Sequence, residues 1–255
     1  MGSRRHSLYS AVSVLLFLGL WQWASTRLID PFFLPAPTAV VAGALELLRD
    51  GTLLSFAGAS LGRIFTGWVV GSLTAIPVGL LVGSSPLVKS LVDPYIHFFR
   101  FVPAIALVTV FMVWFGVGEV SKVLLITYAT AFIVMINTAT GVAAIPEEKV
   151  QAARCLGASP RQVFFHVTVP ATVPYIFVGM RLAMASSFLV IVAAEMLAAN
   201  SGLGYLVWTS RLYFRIDWMF AAIVALGLLG YLTDRLWRVA GGTVLRRFLR
   251  ETARY

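Results

Sequence analysis

The chain has 255 residues, of which 59% are hydrophobic and only 12% are charged, and its mean hydropathy is +0.87. Soluble domains contain about 25% charged residues, so this composition excludes an ordinary soluble protein and indicates one embedded in a membrane. The formal net charge of +9 is then an orientation signal, and a nucleic-acid partner is not expected.

Patterns of catalytic or metal-binding residues do not occur in the sequence. Cys155 is the single cysteine, and the three histidines, His6, His97 and His166, are far apart, so we expect neither a disulfide nor a metal site. No nucleophile is clustered with a base. The chain is therefore predicted to have no enzymatic activity and no cofactor of its own.

Six stretches are long and apolar enough to cross a bilayer as helices, which requires about 20 residues each. They cover approximately residues 8–28, 55–83, 96–116, 120–144, 174–199 and 217–239. The apolar part of the first stretch is too long for a signal peptide, so we expect a retained span. The second contains glycines at four-residue spacing, which favour close helix packing in lipid. The fold class predicted is a single-domain, all-α membrane protein.

Loops and termini with many Lys and Arg residues stay in the cytoplasm. One side of the six spans has thirteen of these residues: Arg4, Arg5, Lys89, Arg100, Lys149, Arg154, Arg161, Arg235, Arg238, Arg246, Arg247, Arg250 and Arg254. The other side has four, Arg27, Arg49, Arg211 and Arg215. Both termini are therefore predicted to be cytoplasmic, together with the polar loop 146–170 between spans four and five, which we call the insert. The loop between spans one and two lies outside, and Thr38 is expected to cap a short helix over Val40–Leu48.

The insert has the sequence pattern of two short helices joined by a tight turn. Pro146 suits a first helical turn, where Glu147 and Glu148 favour the positive end of the helix dipole. This helix is predicted to run to about Leu156, and Gly157 provides the permissive backbone that ends it.

A second helix begins at Ser159, because Ser159 and Gln162 have the spacing of a capping box, and it is expected to stop before Pro170. Three interpretations of this helix-turn-helix remain open from the pattern. It folds back on its own bundle, or it docks on a cytoplasmic partner, or it binds DNA. Its short tethers to two spans hold it at the membrane and disfavour DNA binding.

Residues 151–170, QAARCLGASPRQVFFHVTVP, resemble the signature loop of binding-protein-dependent ABC transporter permeases. The family pattern is Glu-Ala-Ala, then Gly, Ile and Leu-Pro at fixed spacing, and this chain matches it with Gln151, Ala152, Ala153, Gly157, Val167, Val169 and Pro170. Gln151 removes the charge of the family's Glu, and the two valines are conservative changes. The stretches LPAPTAV, FMVWFGVGEVSK and AAEMLAANSGLGYLV are similar to the branch that imports nitrate, sulfonates and taurine.

The resemblance implies a type I ABC importer permease fold of about six spans, in a bacterial inner membrane, forming the pathway for a small anionic or zwitterionic solute. It implies a homodimer with two ATP-binding subunits, which hold the ATP and Mg²⁺, and an extracytoplasmic binding protein. The chain itself has no G-x-x-x-x-G-K-[ST] phosphate loop. The insert would then be a coupling helix, and its candidate coupling residues are Glu147, Glu148, Gln151, Ala152, Ala153, Gly157, Ala158, Ser159 and Pro170.

Polar residues within spans often mark a transport pathway. Arg63 and Glu195 lie at similar depth near the outer ends of spans two and five, so we expect them to pair, as a clamp between helices rather than as a solute contact. Asn137 in span four is expected to line a cavity or, with more support, to bond another helix. His97 and Arg100 are expected at the cytoplasmic interface.

Two other classes of membrane protein are compatible with parts of this pattern. A proton-coupled secondary transporter would use buried acidic residues as a relay, and Glu195 is the one embedded acid that could support it. A structural scaffold would not require the spaced residues of the insert.

Overall fold

A computed structural model of the protein describes the backbone of residues 2–252 and the side chains of Tyr9 and residues 12–242. Every regular element in these ranges is helical, as the sequence predicts. The helices are α1 Gly2–Arg27, α2 Pro37–Arg49, α3 Thr52–Ser84, α4 Pro86–Phe99, α5 Val108–Phe115, α6 Glu119–Ala143, α7 Glu147–Cys155, α8 Pro160–Val163, α9 Val169–Ala198, α10 Leu203–Leu212 and α11 Ile216–Thr252.

Within the described residues, four continuous helical stretches are long and apolar enough to cross a membrane: Thr52–Ser84, Glu119–Ala143, Pro160–Ala198 and Ile216–Gly242. They coincide with predicted spans two, four, five and six. The predicted first span lies in α1, several of whose side chains are outside the described residues. The predicted cytoplasmic orientation of both termini also depends on side chains outside the described residues, namely Arg4, Arg5, Arg246, Arg247, Arg250 and Arg254.

The third predicted span, 96–116, is not one continuous helix. It consists of α4 and the segment Ala104–Phe115, which meet at an angle of 84°. The break falls at residues 100–103 and ends at Pro103, which has no backbone N–H and disfavours helical geometry at the residue before it. If the bent pair counts as one span, the part of the chain outside α1 contains five.

The prediction that the second helix of the insert stops before Pro170 is wrong. From Pro160 the chain continues to Ala198 as one helical stretch of 39 residues. A widened turn over Phe164–Thr168, closed by a bond from Val169 N to Phe164 O, makes this possible. Pro170 then lies in the first turn of regular helix, where proline is tolerated.

The core of the protein is a close three-helix contact of α3, α6 and α9, built on the glycines of α3. A Cβ atom added at Gly71 would lie 2.7 Å from Thr130 Cβ, and one added at Gly79 would lie 2.7 Å from Thr138 Cβ. Gly67 and Gly83 approach α6 equally closely. The predicted packing role of these glycines is thus confirmed, and Trp68 on the same helix donates to the Met180 carbonyl of α9 at 2.8 Å.

A second cluster joins α2, α10 and α11 on the outer side of this core. The short external helix begins at Pro37 rather than after Thr38, because proline is preorganised for a first helical turn. Its Glu46 accepts from Arg215 at 2.6 Å and from Trp218 at 3.1 Å. The hydrogen bond from Arg215 holds the pKa of Glu46 below its usual range.

The glycine contact can be tested with two substitutions in the same helix. Gly71→Ala is expected to lower the stability of the purified protein by about 1–3 kcal/mol, because the new methyl group meets α6. Gly62→Ala, with open space around the added atom, is expected to be neutral or slightly stabilising. Thermal unfolding in detergent measures both, and equal melting temperatures for the two variants would contradict the close contact.

Candidate functional site

The insert forms a helix-turn-helix close to the one predicted. Its first helix, α7, covers Glu147–Cys155, and the chain then turns at Gly157, whose φ of +82° is a conformation that favours glycine. The predicted capping box is present: Ser159 Oγ accepts from Gln162 N at 3.4 Å, and Gln162 Oε1 accepts from Ser159 N at 2.8 Å. Both ends of the turn therefore have defined geometry.

Most residues of α7 are exposed, and the helix contacts the second helix of the insert. None of the residues of α7 is buried, and the adjacent Leu156 is 88% exposed. Ala152 is exposed, and Ala153 and Ala158 are half-buried against the second helix of the insert. The interpretation in which the insert folds back on its own bundle is therefore not supported, because such a fold would bury one face of α7.

The acidic end of α7 contains the position at which the family pattern has Glu. Gln151 Nε2 donates to Glu147 Oε1 at 3.0 Å, one helical turn away, and Glu148 is exposed beside it. A glutamate at position 151 would repel Glu147, whereas glutamine pairs with it. Ser159 is exposed, and Pro170 is half-buried where the insert enters α9.

The second candidate site is a charged cluster at the outer ends of the core helices. Arg63 Nη1 donates to Glu195 Oε1 at 2.6 Å, so the contact expected from the sequence is present. Arg63 also makes two bonds to Glu119, from Nε at 2.6 Å and from Nη2 at 2.9 Å, and Lys122 Nζ donates to Glu119 Oε1 at 2.8 Å. Two positive and two negative charges thus form a neutral network between α3, α6 and α9.

Glu195 is fully buried, and its remaining bonding capacity is used by neighbouring groups. Ser60 Oγ donates to both carboxylate oxygens, at 2.9 and 2.8 Å, and the Gly204 N–H donates to Oε2 at 2.9 Å. Gly202, with φ of +116°, brings the external turn directly over the carboxylate, where an added Cβ would clash. The buried charge is therefore compensated on all sides, as its position requires.

The external turn after α9 is held by the same arginine. Arg63 Nη1 donates to the Ser201 carbonyl at 2.7 Å, and Nη2 lies 3.0 Å from Ser201 Oγ. The Leu203 N–H donates to Ser60 Oγ at 2.9 Å. The cluster consequently fixes the turn 199–204 to two spans, which is the geometry of a clamp.

The two other polar residues singled out in the spans are not part of this cluster. Asn137 Nδ2 donates to the Ile133 carbonyl of its own helix at 2.8 Å, so the expected bond between helices is not formed. Its Cβ instead packs against Gly179 of α9. His97 is exposed on α4. The side-chain amide of Asn137 reaches the carbonyl four residues earlier in its own helix, so it does not need a partner on another helix.

Sequence comparison identifies the class of the protein. Residues 75–241 match the profile of the binding-protein-dependent transport system inner membrane component family, and the chain belongs to this family. It is therefore a multi-pass membrane subunit of an ABC-type transport system that works with an ATPase and a binding protein.

Individual relatives cover most of the chain. A probable ABC transporter permease of Brucella melitensis is 37% identical over 88% of this chain and 91% of its own length. The taurine transport system permease protein of Escherichia coli is 34% identical over 91% of this chain and 86% of its own length. Among solved structures, the membrane subunit of an inward-facing methionine ABC transporter superposes with a TM-score of 0.64 at 21% identity, covering 84% and 98% of the two chains, which supports the type I importer permease fold.

Two residues of the charged cluster were not found from the sequence, although signals for both exist. Glu119 and Lys122 follow the Gly-x-Gly turn that opens α6 at the outer side, one helical turn apart. Two positive and two negative residues at these outer span ends sum to zero charge, and this balance would have indicated that Glu119 and Lys122 belong to one cluster with Arg63 and Glu195. Ser60 carries no charge, and its role follows only from its position one turn before Arg63.

The cluster predicts different losses for its two carboxylates. Glu195→Ala is expected to destabilise the protein by about 3 kcal/mol or more, because it leaves the Gly204 N–H and part of Arg63 without a buried partner. Glu119→Ala removes a carboxylate that is itself 62% exposed, so the expected loss is smaller than for Glu195→Ala, and most of it comes from the buried Lys122, which is left without its carboxylate. Unfolding in detergent would give the two values, and similar losses would show that burial of Glu195 is unimportant.

Exchanging the charges of Arg63 and Glu195 tests whether these two residues interact independently of the rest of the cluster. The double variant Arg63→Glu with Glu195→Arg is expected to remain destabilised, because position 63 would then face Glu119 and position 195 would face the Gly204 N–H. Restoration of wild-type stability by this exchange would mean that Arg63 and Glu195 interact independently of the other groups.

Proposed function

We propose that this chain is the pathway-forming subunit of an ATP-driven importer and that the insert docks in a separate ATPase subunit as a coupling helix. The observation that carries the proposal is the mostly exposed surface of α7, a helix without a buried residue, which leads through the turn at Gly157 into the capping box of the second helix. A short helix that is held on a defined turn and exposes most of its surface is suited to fit a groove of another protein.

Energy reaches this chain through contact with that subunit. ATP and Mg²⁺ are bound by the partner, and this chain has no phosphate loop and no nucleotide site of its own. Movement of the docked insert biases the spans between two packings, and the pathway is thereby opened to one side of the membrane at a time. Glu147, Glu148, Gln151 and the small residues Ala152 and Ala153 form the face that contacts the ATPase.

The assembly contains two copies of this chain, two ATPase subunits and an extracytoplasmic binding protein, and the termini and insert lie in the cytoplasm. The solute is a small anion or zwitterion. Named relatives support this class, since they include permeases for taurine, for aliphatic sulfonates in Bacillus subtilis and for nitrate.

The alternative function, a proton-coupled transporter, depended on Glu195 as a proton relay. Glu195 accepts hydrogen bonds from Arg63, Ser60 and the Gly204 N–H, so its carboxylate is bound into the clamp and is not free as a relay. A scaffold is disfavoured by the family to which the chain belongs.

The single native cysteine provides a direct test of docking and orientation. Cys155 is exposed at the end of α7. A membrane-impermeant maleimide is expected to label it in inverted vesicles but not in intact cells, because the insert lies in the cytoplasm. Labelling in detergent should fall at least severalfold when the ATPase subunit is bound. Labelling from the outside, or labelling that is unchanged by the ATPase, would refute the proposal.

Gly157 offers a second test with a matched control. Gly157→Val places a β-branched residue at φ of +82°, which distorts the turn of the insert, and the ATPase subunit is expected to be lost from pull-downs. Gly116→Val places the same residue at a similarly unfavourable φ of +79° in the loop between α5 and α6, and it should retain the ATPase. Equal recovery of the ATPase with both variants would contradict coupling through the insert.

A further inference from the structure

The break between α4 and α5 lies beside the middle of two spans. The hydroxyl of Tyr128 donates to the Phe99 carbonyl at 2.7 Å and lies 3.4 Å from the Val102 carbonyl. Tyr128 is nine residues from the start of α6, about 14 Å along a helix of 25 residues. The non-helical residues 100–103 therefore lie level with the middle of α6 rather than with its cytoplasmic end.

A cavity of about 730 Å³ lies against this break, a volume in the range typical of sites for small molecules. Its wall on α6 runs from Tyr128 to Ile136, and its wall on α9 runs from Ser186 to Val190, both in the middle of their helices. Non-helical backbone at membrane depth is tolerated where it is buried in protein or lines a polar cavity. A cavity that admits a polar solute would therefore explain why the chain can leave the helical conformation at this position.

The lining of the cavity is positively charged and contains no carboxylate. Arg100 is the only ionisable residue of its lining apart from Tyr128, and its guanidinium lies 4.6 Å from the centre of the Phe101 ring. No carboxylate among the described side chains pairs with it. This distinguishes it from Arg63, whose charge is saturated by two carboxylates. Arg100 is exposed on this chain, so at this level of the spans its charge requires water or a mobile anion to compensate it.

The remaining surface of the cavity is mainly apolar and rich in aromatic rings, and its other polar side-chain groups are the hydroxyls of Tyr128 and Ser186. Phe99, Phe101, Phe132 and Tyr128 contribute the rings, and Tyr128 and Phe132 pack edge to face at 5.1 Å. Aromatic rings gain more contact with a carbon skeleton than with a small inorganic anion. The combination of one guanidinium with aromatic walls matches a molecule that has an anionic head and an apolar body.

We infer that this cavity is a solute-binding site within the permease and that it selects organic anions with an apolar body over inorganic anions. Arg100 binds the anionic head, and the rings around it contact the body. This inference rests on the proposed transport function, and it adds a selective site in the membrane to the selection made by a binding protein.

Ligand-induced stabilisation of the purified chain in nanodiscs tests the site with three probes. Benzenesulfonate has both the charge and the ring, nitrate has only the charge, and benzyl alcohol has only the ring. Benzenesulfonate is expected to raise the melting temperature in a saturable manner, while nitrate and benzyl alcohol at the same concentrations produce little change. An equal rise with nitrate would refute selection of an apolar body, and an equal rise with benzyl alcohol would refute recognition of the charge.

Substitution of Arg100 assigns the effect to the cavity. Arg100→Gln is expected to weaken the apparent affinity for benzenesulfonate about tenfold or more, as expected for loss of a charged hydrogen bond, and Arg100→Lys should retain most of it. The matched control is Arg211→Gln, since Arg211 lies over the Trp208 ring at 5.3 Å but outside the cavity. An unchanged affinity in Arg100→Gln, or an equal loss in Arg211→Gln, would refute the site.

The two proposals fail separately. Protection of Cys155 by the ATPase subunit does not involve Arg100, so it reports on coupling whether or not the cavity binds benzenesulfonate. If benzenesulfonate binding is absent while Cys155 is protected, the chain couples to an ATPase but selects its solute elsewhere.

Discussion

The interior of a bilayer offers no hydrogen-bond partner to a backbone amide or carbonyl, and this constraint decides where the chain leaves the helical conformation. At the break after α4, the hydroxyl of Tyr128 donates to the carbonyl of Phe99, which also accepts from the backbone N–H of Val102. At the external turn after α9, Glu195, Arg63 and Ser60 together bind backbone groups of residues 201–204. At the insert, which we place in the cytoplasm, the capping box orders the turn between the two helices. These three departures from helix coincide with features to which we assign a function.

Two of these features are joined by a single helical stretch. Pro160–Ala198 begins in the insert, passes the cavity at Ser186 and ends three residues after Glu195. Its 39 residues correspond to about 58 Å of helix. Displacement of the insert by an ATPase would therefore be applied directly to the helix that lines the cavity. The charged cluster at the far end ties that helix to α3 and α6, so its outer end is the most firmly attached part of the stretch.

Local rules predicted the parts of this arrangement that depend on neighbours in sequence. The spans follow from hydropathy, the capping box from Ser159 and Gln162, and the turn at Gly157 from its lack of a side chain. The glycines of α3 were recognised because their spacing repeats along one helix face. In these cases the residues that make the contact lie within a few turns of one another, or one helix alone carries the pattern.

Other features depend on segments distant in sequence, and the sequence alone did not identify them. Glu119 pairs with Arg63 across 56 positions, and no periodicity connects a loop-end glutamate to an arginine in another span. Arg100 was placed at the interface because an apolar run follows it, but the break that ends at Pro103 lies level with the middle of α6. The second helix of the insert was predicted to stop before Pro170, because no sequence signal indicates the widened turn over Phe164–Thr168.

Arg63 and Arg100 show how the pairing of a charge separates a structural role from a functional one. Arg63 is 6% exposed and bound by two carboxylates and a backbone carbonyl, so the network has no vacancy for a passing anion. Any solute that contacted it would have to displace a partner of a buried charge, at a cost of several kcal/mol. Arg100 has an aromatic ring beneath it and a cavity before it, and a solute anion would replace water rather than a carboxylate. The same residue type can thus hold the outer end of the bundle rigid in one place and remain available to an anion in another.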